Sequence, residues 1–123
     1  MERRESLVAI VDDDPAVLRA LGRLTRSLGF ETEAYASGEA MLAGIGVPPR
    51  CILLDLHLPG LRGPDVIAAL RDRGILAPVV VMTGLDRPGS REACLAAGAD
   101  AYITKPIRRD DLWPLLAHPE APA

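Results

Sequence analysis

Leu7-Val8-Ala9-Ile10-Val11-Asp12-Asp13-Asp14-Pro15 is the stretch from which the rest of the chain is read. Five apolar residues in a row, three of them β-branched, predict a strand covered on both faces. Three carboxylates close its end, and like charges at that spacing repel and raise one another's pKa. Solvent or a positive group must answer them. Part of the run is ordinary turn chemistry: Asp14 before Pro15 reads as a helix N-cap followed by proline at the first helical position. Asp12 and Asp13 are left without that role. From this stretch alone, a wet turn is the better account of them.

The 123 residues suffice for one core, and the expectation is a single domain over 1–123. Its core runs from about residue 7 to 117, with 118–123 a loose tail or the start of a linker. Apolar residues make up 49% and charged residues 25%, the balance of a globular chain rather than a disordered one. With one Phe, one Trp and two Tyr, the core must be built from Leu, Val, Ile and Ala. A net charge of -3 argues against nucleic acid as a direct ligand. No apolar run approaches the roughly 20 residues that span a bilayer, and no signal-like segment precedes the first strand. Cys51 and Cys94 lack Cys-x-x-Cys spacing and sit in apolar stretches, the pattern of a reduced, cytoplasmic chain.

Beyond Pro15, apolar residues at Val17, Leu18, Leu21, Leu24 and Leu28 predict a helix over 16–28 that Gly29 ends. Glu31 to Tyr35 reads as a short, more polar edge strand. Ser37 caps a second helix from Gly38 to about Ala43, which offers Ala40, Met41 and Ile45 to the core. Cys51-Ile52-Leu53-Leu54 is a second buried run, and it too ends in a carboxylate, Asp55. Pro64 opens a third helix with Val66, Ile67 and Leu70 inward, closed by Gly74. Val79 to Met82 is a third buried strand ending in Thr83-Gly84, followed by a helix from Pro88 to Ala97. Ala101 to Thr104 is a last strand ending in Lys105-Pro106. The final helix, Arg109 to Ala117, is expected to be short or kinked because Pro114 lies inside it. Trp113 is expected to be its hydrophobic anchor. Five alternations of strand and helix mean a parallel sheet with helices on both faces.

Ligands of such a sheet bind beyond the carboxyl ends of its strands. Asp12 and Asp13 end the first strand, Asp55 the third, Thr83 the fourth and Lys105 the fifth. Singly, each is more often a solvated turn residue than part of a site. Gathered on one edge, they are a site. Carboxylates without ligating Cys make a hard oxygen site suited to Mg²⁺. Thr83 supplies a hydroxyl and Lys105 a point charge, both suited to phosphoryl oxygens. These are the parts needed to form an aspartyl phosphate, with Asp55 the nucleophile because it stands alone at the end of a central strand.

The motifs are Val11-Asp12-Asp13, Asp55 with Leu58-Pro59-Gly60, Thr83-Gly84, Ala96-Ala97-Gly98-Ala99-Asp100-Ala101-Tyr102, and Lys105-Pro106. In this order and spacing the chain resembles a response-regulator receiver domain of two-component signalling, of the chemotaxis-receiver kind, from Leu7 to about Leu116. The resemblance implies a flavodoxin-like α/β fold with strand order 2-1-3-4-5. It implies a phosphoacceptor signalling domain, not an enzyme, whose Asp55 takes a phosphoryl group from a histidine kinase or phosphotransfer protein. It implies Mg²⁺ held by Asp13, Asp55 and the backbone carbonyl of His57, with Asp12 helping through water. Lys105 pairs with the phosphoryl group across a cis bond to Pro106, Thr83 turns its hydroxyl toward it, and Tyr102 swings inward behind Thr83. Gly84 leaves the phosphate approachable. The surface of the fourth helix, fifth strand and fifth helix is the implied partner or homodimer face, although the Pro114-bearing last helix departs from the family there.

A flavodoxin would need Ser, Thr and Gly, not three carboxylates, where FMN phosphate sits. A haloacid-dehalogenase-type phosphatase would need Asp-x-Asp, where this chain has Asp55-Leu56-His57. The remaining alternative is a receiver-like module that binds partners independently of phosphorylation. Such modules usually lose one of the acidic pair, the Thr or the Lys, and this chain keeps all of them.

Overall fold

Strands apolar on both faces must be covered twice, and the chain does this by laying three helices on one face of the sheet and two on the other. The computed structural model describes residues 3–119. In chain order the elements are β1 (Arg4–Val11), α1 (Pro15–Ser27), β2 (Glu31–Tyr35), α2 (Gly38–Gly44), β3 (Pro49–Asp55), α3 (Gly63–Asp72), β4 (Val79–Thr83), α4 (Ser90–Ala96), β5 (Ala101–Thr104) and α5 (Arg109–Ala117). All strand pairs are parallel and their order is β2-β1-β3-β4-β5. This is the expected flavodoxin-like topology, with the exposed, polar β2 at one edge.

Alternation along the strands builds two cores. Ala9, Val11, Ile52, Leu54, Val79 and Val81 face α2, α3 and α4, which contribute Met41, Ile67, Leu70 and Cys94 among others. Val8, Ile10, Cys51, Leu53, Val80 and Met82 face the other way, toward Leu21 of α1 and Leu112 and Leu116 of α5. Both cysteines are buried free thiols, as their apolar surroundings suggest. Asp14 caps α1 through the Ala16 amide at 2.9 Å, and Ser37 caps α2 through the Ala40 amide at 3.0 Å. Gly38 fits closely against α3, since a Cβ there would collide with Val66.

Four local expectations are corrected. β1 begins at Arg4, because Arg4 already pairs with Pro49 of β3 before the apolar run starts. In α2 the inward residues are Met41 and Leu42, with Ala40 exposed. α4 begins at Ser90, two residues after Pro88, because Gly89 adopts φ +84° and no helix can run through that conformation. Trp113 does not anchor α5: it is 48% exposed, and Leu112 and Leu116 fill the core instead. α5 continues through Pro114 for nine residues. Of the tail expected at 118–123, His118 is exposed but Pro119 is buried, and 120–123 lie outside the described residues. Among the described residues no helix is long and apolar enough to cross a membrane.

Candidate functional site

The parallel ladder sets which side chains can meet. Val11 lies opposite Leu54, Asp55 opposite Met82, and Thr83 opposite Thr104. Backbone bonds carry the alignment one residue past the strands: Asp12 N–H donates to the Tyr35 carbonyl at 3.1 Å, and Leu56 N–H to that of Met82 at 2.8 Å. Lys105 N–H donates to the Thr83 carbonyl at 2.7 Å. Asp12, Asp55, Thr83 and Lys105 therefore reach the same sheet edge as a consequence of register.

There the carboxylates of Asp12, Asp13 and Asp55 each place an oxygen within 4.8 Å of the others. Asp12 is 1% exposed and Asp55 5%, while Asp13 opens to solvent. One Asp12 oxygen accepts the Asp14 N–H at 2.9 Å, which shapes the turn. The other accepts the Lys105 ammonium at 2.7 Å, and the same ammonium lies 3.3 Å from Asp55 Oδ1. Lys105 thus stands where positive charge is required. Burial, and next the Asp12 charge, push the Asp55 carboxyl above its ordinary range, and Lys105 only partly offsets them. Burial works against the charge of Lys105, but the bond to Asp12 and the charges of Asp55 and Asp12 hold its pKa above the ordinary value. An oxygen-only donor set carrying more negative charge than one ammonium can balance fits a hard divalent cation.

Thr83 is fully buried, and its hydroxyl is engaged with Leu85: it donates to the carbonyl at 2.9 Å and accepts the N–H at 3.0 Å. His57 is exposed on the loop after β3, and its backbone N–H bonds the Asp55 carboxylate. Gly84 is exposed, and a Cβ there would meet only the Lys105 stem, at 4.0 Å. The Lys105–Pro106 bond is cis. Tyr102, on the edge strand β5, is 5% exposed and packs in the core under α4, and its hydroxyl donates to Asp86 Oδ1 at 2.8 Å.

Sequence reading does not single out Asp86. It lies in an exposed loop, sixteen residues from its partner, and no spacing signals the pair. Asp100, which the sequence offers only as part of a motif, fixes the start of β4 by accepting the Val79 N–H on its carboxylate at 2.8 Å. Two clefts of about 400 Å³ flank Lys105. A polar one is lined by Asp86, Arg91, Tyr102, Arg108 and Asp111, and an apolar one by Val17, Ala20, Leu21, Pro106 and Ile107.

An open parallel sheet of this order, with three carboxylates gathered at its carboxyl edge where they could hold a cation, defines a flavodoxin-like α/β domain. The response regulator receiver domain model matches residues 8–117, and the chain belongs to that family. The chain is 36% identical over 113 residues to the response regulator protein TmoT of Ectopseudomonas mendocina, covering 91% of this chain and 51% of that protein. It is 36% identical over 107 residues to the transcriptional regulatory protein KdpE of Mycobacterium tuberculosis, covering 86% and 47%. The chain thus spans about half the length of these relatives. A receiver domain protein of Methanospirillum hungatei, described as CheY-like, superimposes with a TM-score of 0.85 at 28% identity, over 94% of this chain and 93% of that one. The BeF3-activated DrrB receiver domain gives 0.82 at 26%, over 91% and 94%.

Proposed function

We propose that Asp55 is a phosphoacceptor, taking its phosphoryl group from a phosphohistidine of a sensor kinase or phosphotransfer protein. The observation that supports this most is the set of three carboxylate oxygens within 4.8 Å, bridged by Lys105 at 2.7 and 3.3 Å. Asp12, Asp13, Asp55 and the His57 backbone carbonyl would hold Mg²⁺. When bound, the cation neutralises the carboxylates and lets an anionic phosphoryl group approach them.

Asp55 Oδ attacks phosphorus, a P–O bond forms, and the P–N bond breaks with its electron pair leaving on the donor imidazole. Lys105 then pairs with a phosphoryl oxygen, and Thr83 donates its hydroxyl proton to another. Tyr102 and the two clefts beside Lys105 carry the state of the pocket to the surface of α4, β5 and α5. That surface is the proposed partner or homodimer face. The domain acts as a phosphoacceptor that assists its own modification, not as an enzyme on a separate substrate.

The test is intact mass after incubation with acetyl phosphate and Mg²⁺, beside Asp55→Asn and an EDTA control. A single phosphoryl adduct on the wild type, absent in both controls, is expected. An adduct that persists in Asp55→Asn would sink the assignment of the acceptor. No adduct, with Mg²⁺ shown to bind, would favour the phosphorylation-independent binding module.

A further inference from the structure

α1 and α5 cover the same face of the sheet, and a groove of about 290 Å³ opens between them at the end remote from Asp55. Its place follows from the course of the chain. α1 starts beside the carboxyl edge and runs about 18 Å from Pro15 to Ser27. Leu28-Gly29-Phe30 then turns into the start of β2, at the amino edge. Ser27, Leu28, Arg109, Asp110 and Trp113 line the groove, and the Phe30 ring centre lies 6.4 Å from that of Trp113. Trp113 leaves 48% of its surface in solvent while Leu112 and Leu116 fill the core, so folding does not account for a tryptophan here.

The charge beside the groove is one-sided. Arg19, Arg23 and Arg26 stand four and three residues apart, on one exposed stripe of α1 opposite the buried Leu21 and Thr25. α1 holds no acidic residue, and among the described residues none of the three arginines forms an ion pair. Arg26 donates to the Thr32 hydroxyl and Arg109 to that of Ser27, both at 3.0 Å, and a hydroxyl leaves the positive charge unanswered. Arg23 sits one turn before Ser27 and so borders the groove. Asp110 is the one carboxylate among the lining residues. The chain as a whole carries -3, so this basic face is a local excess and not the general character of the surface.

A furrow between two helices accepts the apolar ridge of a third, and exposed tryptophan and arginine are the residue types on which binding energy concentrates. Guanidinium groups match carboxylates in bidentate pairs. We propose that this groove docks an acidic amphipathic helix of a partner protein, its apolar ridge on Trp113 and Leu28 and its flanking carboxylates on Arg23 and Arg109. A second copy of the chain is disfavoured, since it brings two such basic faces together. A nucleic-acid backbone is disfavoured by Asp110 inside the groove and by the acidic balance of the chain. Phosphoryl transfer belongs to the opposite edge of the sheet, so this contact stands independently of the reading of Asp55 as phosphoacceptor.

Trp113 is the only tryptophan of the chain, so its emission reports on this groove directly. The probe is a tryptophan-free peptide of about 18 residues, with leucine along one helical face and glutamate on both flanks. It is titrated into wild type, Arg23→Glu, Arg109→Ala and Asp55→Asn, beside a twin peptide carrying lysine for glutamate. A saturable blue shift is expected with the glutamate peptide alone, weakening about threefold or more as salt rises from about 0.05 to about 0.3 M. Arg23→Glu should weaken binding at least about fivefold and Arg109→Ala about two- to fivefold, with Asp55→Asn within about twofold of wild type. Trp113→Ala, followed by anisotropy of a fluorescein-labelled probe, should lose at least about tenfold. Arg23 is exposed and unpaired, so its replacement leaves folding intact, and equal melting temperatures check this. Arg23→Glu should also take up phosphate from acetyl phosphate as wild type does; a loss there would move the contact to the Asp55 edge and overturn the proposal. No saturable shift, equal binding of the lysine peptide, or indifference to Arg23→Glu overturns it too. So does tighter binding of a single-stranded oligonucleotide, or a dimer in sedimentation that Trp113→Ala abolishes. A wild type that takes up no phosphate yet binds the glutamate peptide removes the phosphoacceptor reading and supports this one.

Discussion

Arg50 and Asp55 stand five residues apart on β3, near opposite ends of the strand, and their charges are used in opposite ways. Arg50 is consumed by structure. Its Nε and Nη2 donate to the carbonyls of Leu116 and Ala117 at 2.6 and 2.8 Å, and Nη1 pairs with Glu5 at 3.0 Å. Its guanidinium also lies 5.6 Å from the centre of the Phe30 ring. The last carbonyls of a helix have no partner within it, and Arg50 supplies one for α5. Asp55 is held in reserve. Buried beside another carboxylate and only partly answered by Lys105, it carries a charge that the fold tolerates but does not neutralise. A satisfied charge marks an anchor, and an unsatisfied one marks a place where a ligand completes the balance.

The contrast can be broken at either end. The largest effect is expected from Arg50→Ala, which strands two helix-end carbonyls and should lower stability by about 2–3 kcal/mol. A shift of the urea midpoint, with the slope unchanged, measures it. A loss under about 0.5 kcal/mol would mean that α5 holds its place without this clamp.

At the other end the sign should reverse. The folded pKa of Asp55 lies above the ordinary 3.8, so its proton is bound more tightly in the folded form. Below that ordinary value both forms are protonated and the group costs nothing. As pH rises through the folded pKa the cost appears, and it persists at neutral pH. In EDTA at pH 7, Asp55→Asn should therefore raise Tm by about 2–6 °C, and the gain should fade as pH falls toward 3.8. A lower Tm at pH 7 would show that Lys105 satisfies Asp55 after all.

The smallest effect sharpens the Arg50 end. Trp113 is 48% exposed and reaches Phe30 with ring centres 6.4 Å apart, so Trp113→Ala should cost no more than about 1 kcal/mol by thermal melting. A cost above about 3 kcal/mol would restore Trp113 as the anchor of α5.

Much of this is legible in the chain itself. Each strand that feeds the pocket announces itself as a buried run with a polar residue at its end, and Asp14-Pro15 and Ser37 mark their helix starts by local capping chemistry. A parallel sheet with helices on both faces follows from alternation, because parallel strands need a crossover and crossovers have one hand, whereas the order 2-1-3-4-5 comes only from the family resemblance. Gathering Asp12, Asp55, Thr83 and Lys105 at one edge needs nothing beyond that rule. The start of α4 escapes such a reading because the left-handed Gly89 gives no periodic signal. The exposure of Trp113 escapes it because an aromatic residue beside two leucines on a proline-bearing helix does not say which of them faces the sheet.

The sequence by itself determined the class of fold, the strand ends and the residue types of the pocket, since these depend on side-chain periodicity and on chemistry carried by single positions. Only the tertiary structure decided which groups pair: Lys105 with Asp12 before Asp55, Tyr102 with Asp86, and Arg50 with the end of α5. Those partners lie 93, 16 and 67 residues apart, and a hydrogen bond is settled within a few tenths of an ångström. Spacing along a chain cannot fix a distance that small; packing of the two faces of the sheet does.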